Sequence, residues 1–293
     1  MGAGESMEPG SAIVAAGRHV AAVLGQAAKR MKVAEWLGVM VLLAYLLMTL
    51  IPGALATHDP IEQDIINRLA FPSAEHWFGT DELGRDLFSR CIHGARTSIR
   101  TALIAVLFSV VVGATGGLFS GYVGGRLDEL LARTNDILVS FPGIIIAMAL
   151  IAVTGRNPIA LALVIGLVNT PAIFRVTRAV ALQVRVLPYV DAARSAGASN
   201  LYIMFRTVLP NCTTEVFIQA LLIATRAIIT ESSLSFLGLG IPPPAPSWGA
   251  MLNTGRRYLK RMVWYGVIPG LFLMGLILAL QFVSRYLRRV SRS

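Results

Sequence analysis

Charge is scarce in this sequence. Asp, Glu, Lys and Arg make up 14% of the 293 residues, where a soluble domain carries about 25%. That scarcity excludes an ordinary soluble globular chain. Cysteine is also rare. Cys91 and Cys212 lie far apart, so no disulfide framework is available, and both are expected to be free thiols that serve packing. The four histidines, His19, His58, His76 and His93, show no H-x3-H or HExxH spacing, and no metal site is legible by pattern. Nowhere does Lys follow Gly, so the Walker A phosphate cradle is missing and the chain cannot be its own ATPase. A G-x-S-x-G nucleophile elbow is missing too.

What abounds is apolar sequence. Hydrophobic residues reach 55% and the mean hydropathy is +0.66. A helix needs about 20 apolar residues to cross the hydrocarbon core. Uncharged runs of that kind occur at Trp36–Thr57, Thr101–Gly125, Ile137–Gly155, Asn157–Phe174 and Val263–Ser284. A sixth run, Thr213–Leu237, is interrupted by Arg226 and Glu231 and is less secure by hydropathy. The fold expected is all-α: a polytopic membrane protein with six transmembrane helices and no sizeable soluble domain.

The net charge of +10 does not require a nucleic-acid partner, because membrane proteins concentrate Lys and Arg on their cytoplasmic flanks. Residues 1–35 read as a cytoplasmic lead. Within it Ala12–Ala28 is either a short surface helix or an unstructured stretch. The run after it is too long for a signal-peptide h-region and no small-residue cleavage site follows, so 36–57 is expected to be a retained first helix. Leaving aside Arg18 and Arg226, the basic residues divide fourteen to ten in favour of a cytoplasmic N-terminus. With six spans both termini share that side. Residues 58–100 then form an external segment, and 101–293 the membrane core.

Within that core, residues 186–210 form a long cytoplasmic loop. Pro188 suits the first turn of a short helix, and Asp191 meets the positive end of its dipole. Gly197 suits the left-handed position past the helix end, and Ser199 can cap a second short helix. Pro210 suits the start of the fifth span. Ala192, Ala193 and Ala196 leave the first helix a face almost without bulk, which a partner surface could approach closely. By local chemistry alone an inert surface helix pair remains open.

The spacing Asp191-Ala192-Ala193, three residues, Gly197, nine residues, then Thr207-Val208-Leu209-Pro210 resembles the EAA loop of ABC importer permeases. Asp191 replaces Glu and Thr207 replaces Ile. The segment Phe78-Gly-Thr-Asp-Glu-Leu-Gly-Arg-Asp-Leu-Phe-Ser-Arg90 resembles the lead-in of the dipeptide/oligopeptide/nickel group. So do Gly121–Gly125 with Asp128, and Glu231–Gly249 with its Pro242-Pro243-Pro244 run. Together these resemble the C-type permease of that group across most of the chain.

The resemblance implies a type I ABC importer permease fold in a prokaryotic plasma (inner) membrane. Asp191, Ala192, Ala193, Arg194, Gly197, Ser199, Leu209 and Pro210 would couple to the ATPase. The implied partners are a homologous second permease, two ATP-binding subunits or domains that hold ATP and Mg, and an extracytoplasmic substrate-binding protein. No cofactor is expected in this chain. Peptides lead as substrate, with nickel or another small solute as the alternative. A self-contained secondary transporter would need its own midplane site, and no repeat of the two halves is evident.

Three features keep more than one reading. Gly84–Arg90 begins an amphipathic stretch, either an interfacial elbow helix before the second span or a substrate contact. Arg226 and Glu231 are five apart and do not share a helix face, so each should pair elsewhere, with the partner permease as one option and a structural tie to the following loop as another for Glu231. Trp248 could sit at the membrane interface beyond a stiff, extended proline run. The cluster Arg256-Arg257-Tyr258-Leu259-Lys260-Arg261 either docks the delivery protein or is a solvated rim.

Overall fold

The computed structural model describes residues 32–291; Ala12–Ala28 lies outside them. The described residues hold long helices and no strand, only an isolated bridge between Thr80 and Asp86. Among the described residues five helices are long and apolar enough to cross a membrane, or six if the bent pair Gly125–Ser140 and Gly143–Thr154 is counted as one span. The chain is a multi-pass membrane protein.

The first span is α1, Val33–Leu50. Glu35 reaches back to the Lys32 N–H at 2.8 Å, closing the N-terminal turn. The second, α2, runs unbroken from Leu87 to Val123. Its 37 residues extend about 55 Å, well past the ~30 Å hydrocarbon core. The stretch expected as a separate interfacial helix is therefore the first turn of this span. Asp86 caps it by accepting the Ser89 N–H at 2.8 Å, and no breaker follows that would separate an elbow from the span.

The third crossing departs most from the hydropathy pattern. The run Ile137–Gly155 is split between α3, Gly125–Ser140, and α4, Gly143–Thr154, which meet at 92°. Phe141 is extended ahead of Pro142, as the residue before a proline prefers, so the rod cannot continue. Alone, α4 has 12 residues, or about 18 Å, and does not span the core.

Helix α5, Pro158–Val184, is capped by Asn157 and packs along α2. A row of glycines on α2 permits this. A Cβ on Gly113, Gly117 or Gly121 would lie 2.8, 2.5 or 2.6 Å from the carbonyl oxygen of Thr170, Phe174 or Arg178. Small residues at i, i+4 and i+8 let membrane helices approach backbone to backbone.

A short helix α6, Pro188–Ser195, follows, and then α7, Leu209–Phe236. The second short helix expected after Ser199 is not separate. Asn200–Tyr202 and a π turn at Ile203–Val208 lead straight into α7. Pro210 has no N–H to give the preceding turn, and the Leu209 N–H reaches back to the Met204 carbonyl instead. The span interrupted by Arg226 and Glu231 is thus part of one rod from Asn200 to Phe236.

Helix α8, Trp248–Gly255, and the last span α9, Val263–Ser291, close the bundle. The first span docks on the last: Arg289 pairs with Glu35 at 2.5 Å, and the Tyr45 hydroxyl donates to the Phe272 carbonyl at 2.6 Å.

Candidate coupling site

The loop 186–210 leaves the bundle at the α5 end and returns through α7. Pro188 stands in the first turn of α6, and Asp191 lies in that turn. Gly197 adopts φ +84°, with no atom within 4 Å of where a Cβ would stand. The left-handed backbone alone, not crowding, favours glycine there. Ser199 accepts the Tyr202 N–H at 3.3 Å. Asp191, Ala192, Arg194 and Gly197 are exposed and Ala193 is half-buried. An ion pair joins Arg194 to Asp191 at 3.4 Å, both side chains more than half exposed; such a pair contributes about 0–1 kcal/mol.

One apolar side chain anchors this bare helix. Val190 is fully buried among Ile203, Met204, Val208 and Cys212, against Leu118 and Tyr122 of α2 and Val184 of α5. Val208 is fully buried in the same cluster, and the adjacent Thr207 is half-buried. Leu209 packs on the same cluster while Pro210 stays exposed.

Sequence reasoning did not foresee the polar lattice behind this cluster. The Tyr122 hydroxyl donates to Asn200 Oδ1 at 3.0 Å. Arg178 of α5 grips Asp128 of α3 through two bonds of 2.5 and 2.7 Å, and Ser120 of α2 donates to the same carboxylate. Arg185 donates to the Gly121 carbonyl at 3.0 Å. A bidentate guanidinium–carboxylate pair fixes orientation as well as distance. Movement of α6 would therefore pass to α2, α3, α5 and α7 together. The Gly113-x3-Gly117-x3-Gly121 spacing was the available signal for the close α2–α5 seam.

Arg226 and Glu231 are not brought together. Glu231 is fully buried and accepts hydroxyls of Ser98, Ser235 and Ser232 at 3.0, 2.8 and 3.3 Å. It bridges α2 and α7 inside this chain. Three hydroxyl donors compensate this buried carboxyl, and among the described residues no Lys or Arg pairs with it. The loop after α7 and the start of α8 close over those serines: a Cβ on Gly240 would collide with Ser235, and one on Gly249 with the Ser232 carbonyl oxygen. Arg226 is exposed and lines a cavity of about 420 Å³ with Gln281, Arg285 and Arg288.

At the end of α7 remote from the loop, the segment 57–100 is bound by ions. Asp81 and Arg85 pair at 2.6 Å, and Arg90 stands 3.3 Å from the same carboxylate. All three side chains are buried. The Tyr265 hydroxyl donates to Glu82. Trp248 is fully buried rather than interfacial: its indole N–H donates to the Cys91 carbonyl at 3.0 Å, and its ring stands edge-on to Tyr45. Absence of a Cβ on Gly94 makes room for that ring. The proline run turns before reaching it, with a cis Pro243–Pro244 bond. Both cysteines are buried free thiols. Arg256, Arg257, Lys260 and Arg261 are exposed, and Arg256 lies 5.1 Å above the Phe236 ring.

These features define a class: a polytopic helical membrane protein from whose bundle a short, largely exposed helix projects. Residues 113–292, more than half the chain, match the family model "Binding-protein-dependent transport system inner membrane component", and the chain belongs to that family. It is 40% identical over 230 residues to the probable D,D-dipeptide transport system permease protein DdpC of Escherichia coli, covering 78% of this chain and 77% of the relative. It is 38% identical over 257 residues to the di/tripeptide transport system permease protein DppC of Pseudomonas aeruginosa, covering 86% and 85%. A glutathione transport system permease protein GsiD, from Pectobacterium atrosepticum, is 37% identical over 74% of this chain and 72% of the relative. The fold resembles a chain of the inward-facing MetNI methionine ABC transporter, with TM-score 0.56 and 18% identity over 70% of this chain and 97% of that one. The chain is thus a permease subunit of the ABC importer kind. Such a subunit works with ATPase and permease partners and a binding protein.

Proposed function

We propose that this chain forms half of the membrane pathway of an ATP-driven peptide importer and that α6 is its coupling helix. A homologous second permease forms the other half. The observation that carries the coupling role is an exposed, nearly bare helix held by Val190 and backed by the Tyr122–Asn200 and Asp128–Arg178 bonds. An inert loop would have no need of so rigid a backing. The peptide class rests on relatives named for dipeptides, di/tripeptides and glutathione.

In this reading two ATP-binding subunits or domains, which hold ATP and Mg, grip Asp191, Ala192, Ala193 and Arg194. Gly197 and Ser199 set the angle at which α6 leaves the rod, and Leu209 and Pro210 carry the motion into α7. That side is the cytoplasm of a prokaryotic cell, with both termini there and the protein in the plasma membrane. The binding protein delivers substrate at the opposite face.

The test is a reconstituted complex in which ATP hydrolysis and peptide uptake are measured together. Gly197→Trp forces a bulky residue into left-handed backbone and is expected to leave hydrolysis running while uptake falls to background. Normal uptake by that variant would reject the coupling role. Uptake by this chain alone, driven by an ion gradient without ATP, would reject the importer reading altogether.

A further inference from the structure

The sequence shows no metal-ligand spacing, because spacing rules detect pairs on one helix or one tight loop. Folding nevertheless gathers His58, His76 and Asp86, whose ligand atoms all lie within 4.8 Å of one another. They come from three places: the linker after α1, the turn at 73–76, and the cap of α2. His76 Nδ1 is 3.0 Å from Asp86 Oδ1, and His58 Nδ1 is 3.9 Å from Asp86 Oδ2. The two imidazoles lie face to face at 4.7 Å with a 35° tilt.

We propose that His58, His76 and Asp86 bind one divalent transition-metal ion of the zinc class. Two imidazoles and a carboxylate are a ligand set such ions favour. Tetrahedral zinc holds N and O ligands at about 2.0–2.2 Å, which places the ligand atoms roughly 3.5 Å apart. Closing from the present spacing takes about 1 Å, within reach of a rotation of the partly exposed His58 ring. The fourth position is left to water.

Charge supports the same assignment independently. Asp86 has a side chain only 1% exposed. Its partners besides the histidines are the Ser89 N–H at 2.8 Å and the Thr57 hydroxyl at 3.3 Å. Among the described residues no Lys or Arg pairs with it, whereas the neighbouring Asp81 holds both Arg85 and Arg90. Asp86 caps α2 and meets the positive end of its dipole, and a metal ion held by the two imidazoles would add a full cation beside that buried carboxylate. The surroundings are also fixed in advance. The His58 N–H donates to Ser89 Oγ at 3.0 Å, and the His76 N–H to Ser73 Oγ at 3.0 Å. The bound ion would staple the linker after α1 to the start of α2.

The experiment uses the full chain purified without a histidine tag and titrated with Zn²⁺ against a fluorescent zinc chelator. One equivalent is expected to bind. His58→Gln and His76→Gln should each weaken binding by at least roughly 10-fold, the low end of the loss seen when only an outer partner of a metal ligand is removed. His93→Gln serves as control, because His93 Nδ1 faces the Ser89 carbonyl within α2, and its affinity should match the parent. Zinc should also raise the unfolding midpoint of the parent and not that of the His58→Gln/His76→Gln double variant. Parent zinc uptake no greater than that of the double variant would overturn the proposal and leave a hydrogen-bonded cluster only.

Discussion

The two ends of α7 are built on opposite principles. At its N-terminal end the chain presents a short, largely exposed helix with an alanine face, fixed by Val190 and backed by neutral or partly exposed polar bonds. At its C-terminal end charges are driven inward: Asp81, Arg85 and Arg90 are buried together beside a buried Trp248. The first arrangement leaves backbone free for a partner and gains little from its own surface contacts. The second pairs its charges within the chain, and removal of Asp81 would take the shared carboxylate from both Arg85 and Arg90. If α6 is the coupling helix proposed above, the part that is gripped and moved is left exposed, and the opposite end is held by buried ion pairs.

The sharpest way to break the contrast is at the locked end. Asp81→Ala removes the carboxylate shared by two buried guanidinium groups, leaving Arg85 only Glu82 and Arg90 only the Pro60 carbonyl, and loss of one partner from a buried ion network costs about 3–5 kcal/mol. Thermal unfolding of the purified chain should show a larger drop than a change at the helix seam or the docking loop produces. A near-neutral result would mean that water reaches Arg85 and Arg90 and that this end is not locked.

The α2–α5 seam joins the two ends and should be next in sensitivity. At Gly117 a Cβ would lie 2.5 Å from the Phe174 carbonyl oxygen, so Gly117→Ala must push α5 away. Overpacking of this kind costs about 1–3 kcal/mol. Because α5 leads into the docking helix, both the unfolding midpoint and uptake should fall. Lost uptake with an unchanged midpoint would separate the seam from stability.

The contrast also explains what could be read in advance. The docking loop was legible because its chemistry is local: Pro188, Gly197 and Ser199 each act on their own turn. The long rods were legible as apolar runs, yet hydropathy misjudged which span was secure. Arg226 and Glu231 made α7 look doubtful, but Glu231 is compensated by Ser98 of α2, a contact separated by 133 residues. The uninterrupted run Ile137–Gly155 looked safe and is the one that breaks, because hydropathy averages over Pro142. The ion network, the buried Trp248 and the His58–His76–Asp86 cluster depend on long-range packing, to which neither periodicity nor spacing gives access.

At the docking end, Val190→Ala should be milder than Asp81→Ala or Gly117→Ala. It shortens one fully buried side chain, at a cost of about 1–2 kcal/mol, and local opening of the loop is expected to absorb the loss. Amide exchange in 188–195 should accelerate while the global unfolding midpoint hardly moves. A global shift instead would show that the docking helix is as locked as the opposite end, and the comparison would fail.

The smallest effect on stability is expected at the basic rim of the C-terminal end. Arg256, Arg257, Lys260 and Arg261 are exposed, and surface substitutions usually stay within about 0.5 kcal/mol. Replacing all four by Gln should leave the unfolding midpoint where it was, although Arg256 gives up its contact with Phe236. Affinity for the binding protein is the informative readout. Exposed charges chiefly steer encounter, so a docking rim would show a slower association rate and a weaker salt dependence. An association rate equal to the parent's at low salt would make these four residues a solvated edge. It would also place docking on the uncharged surfaces of the same end.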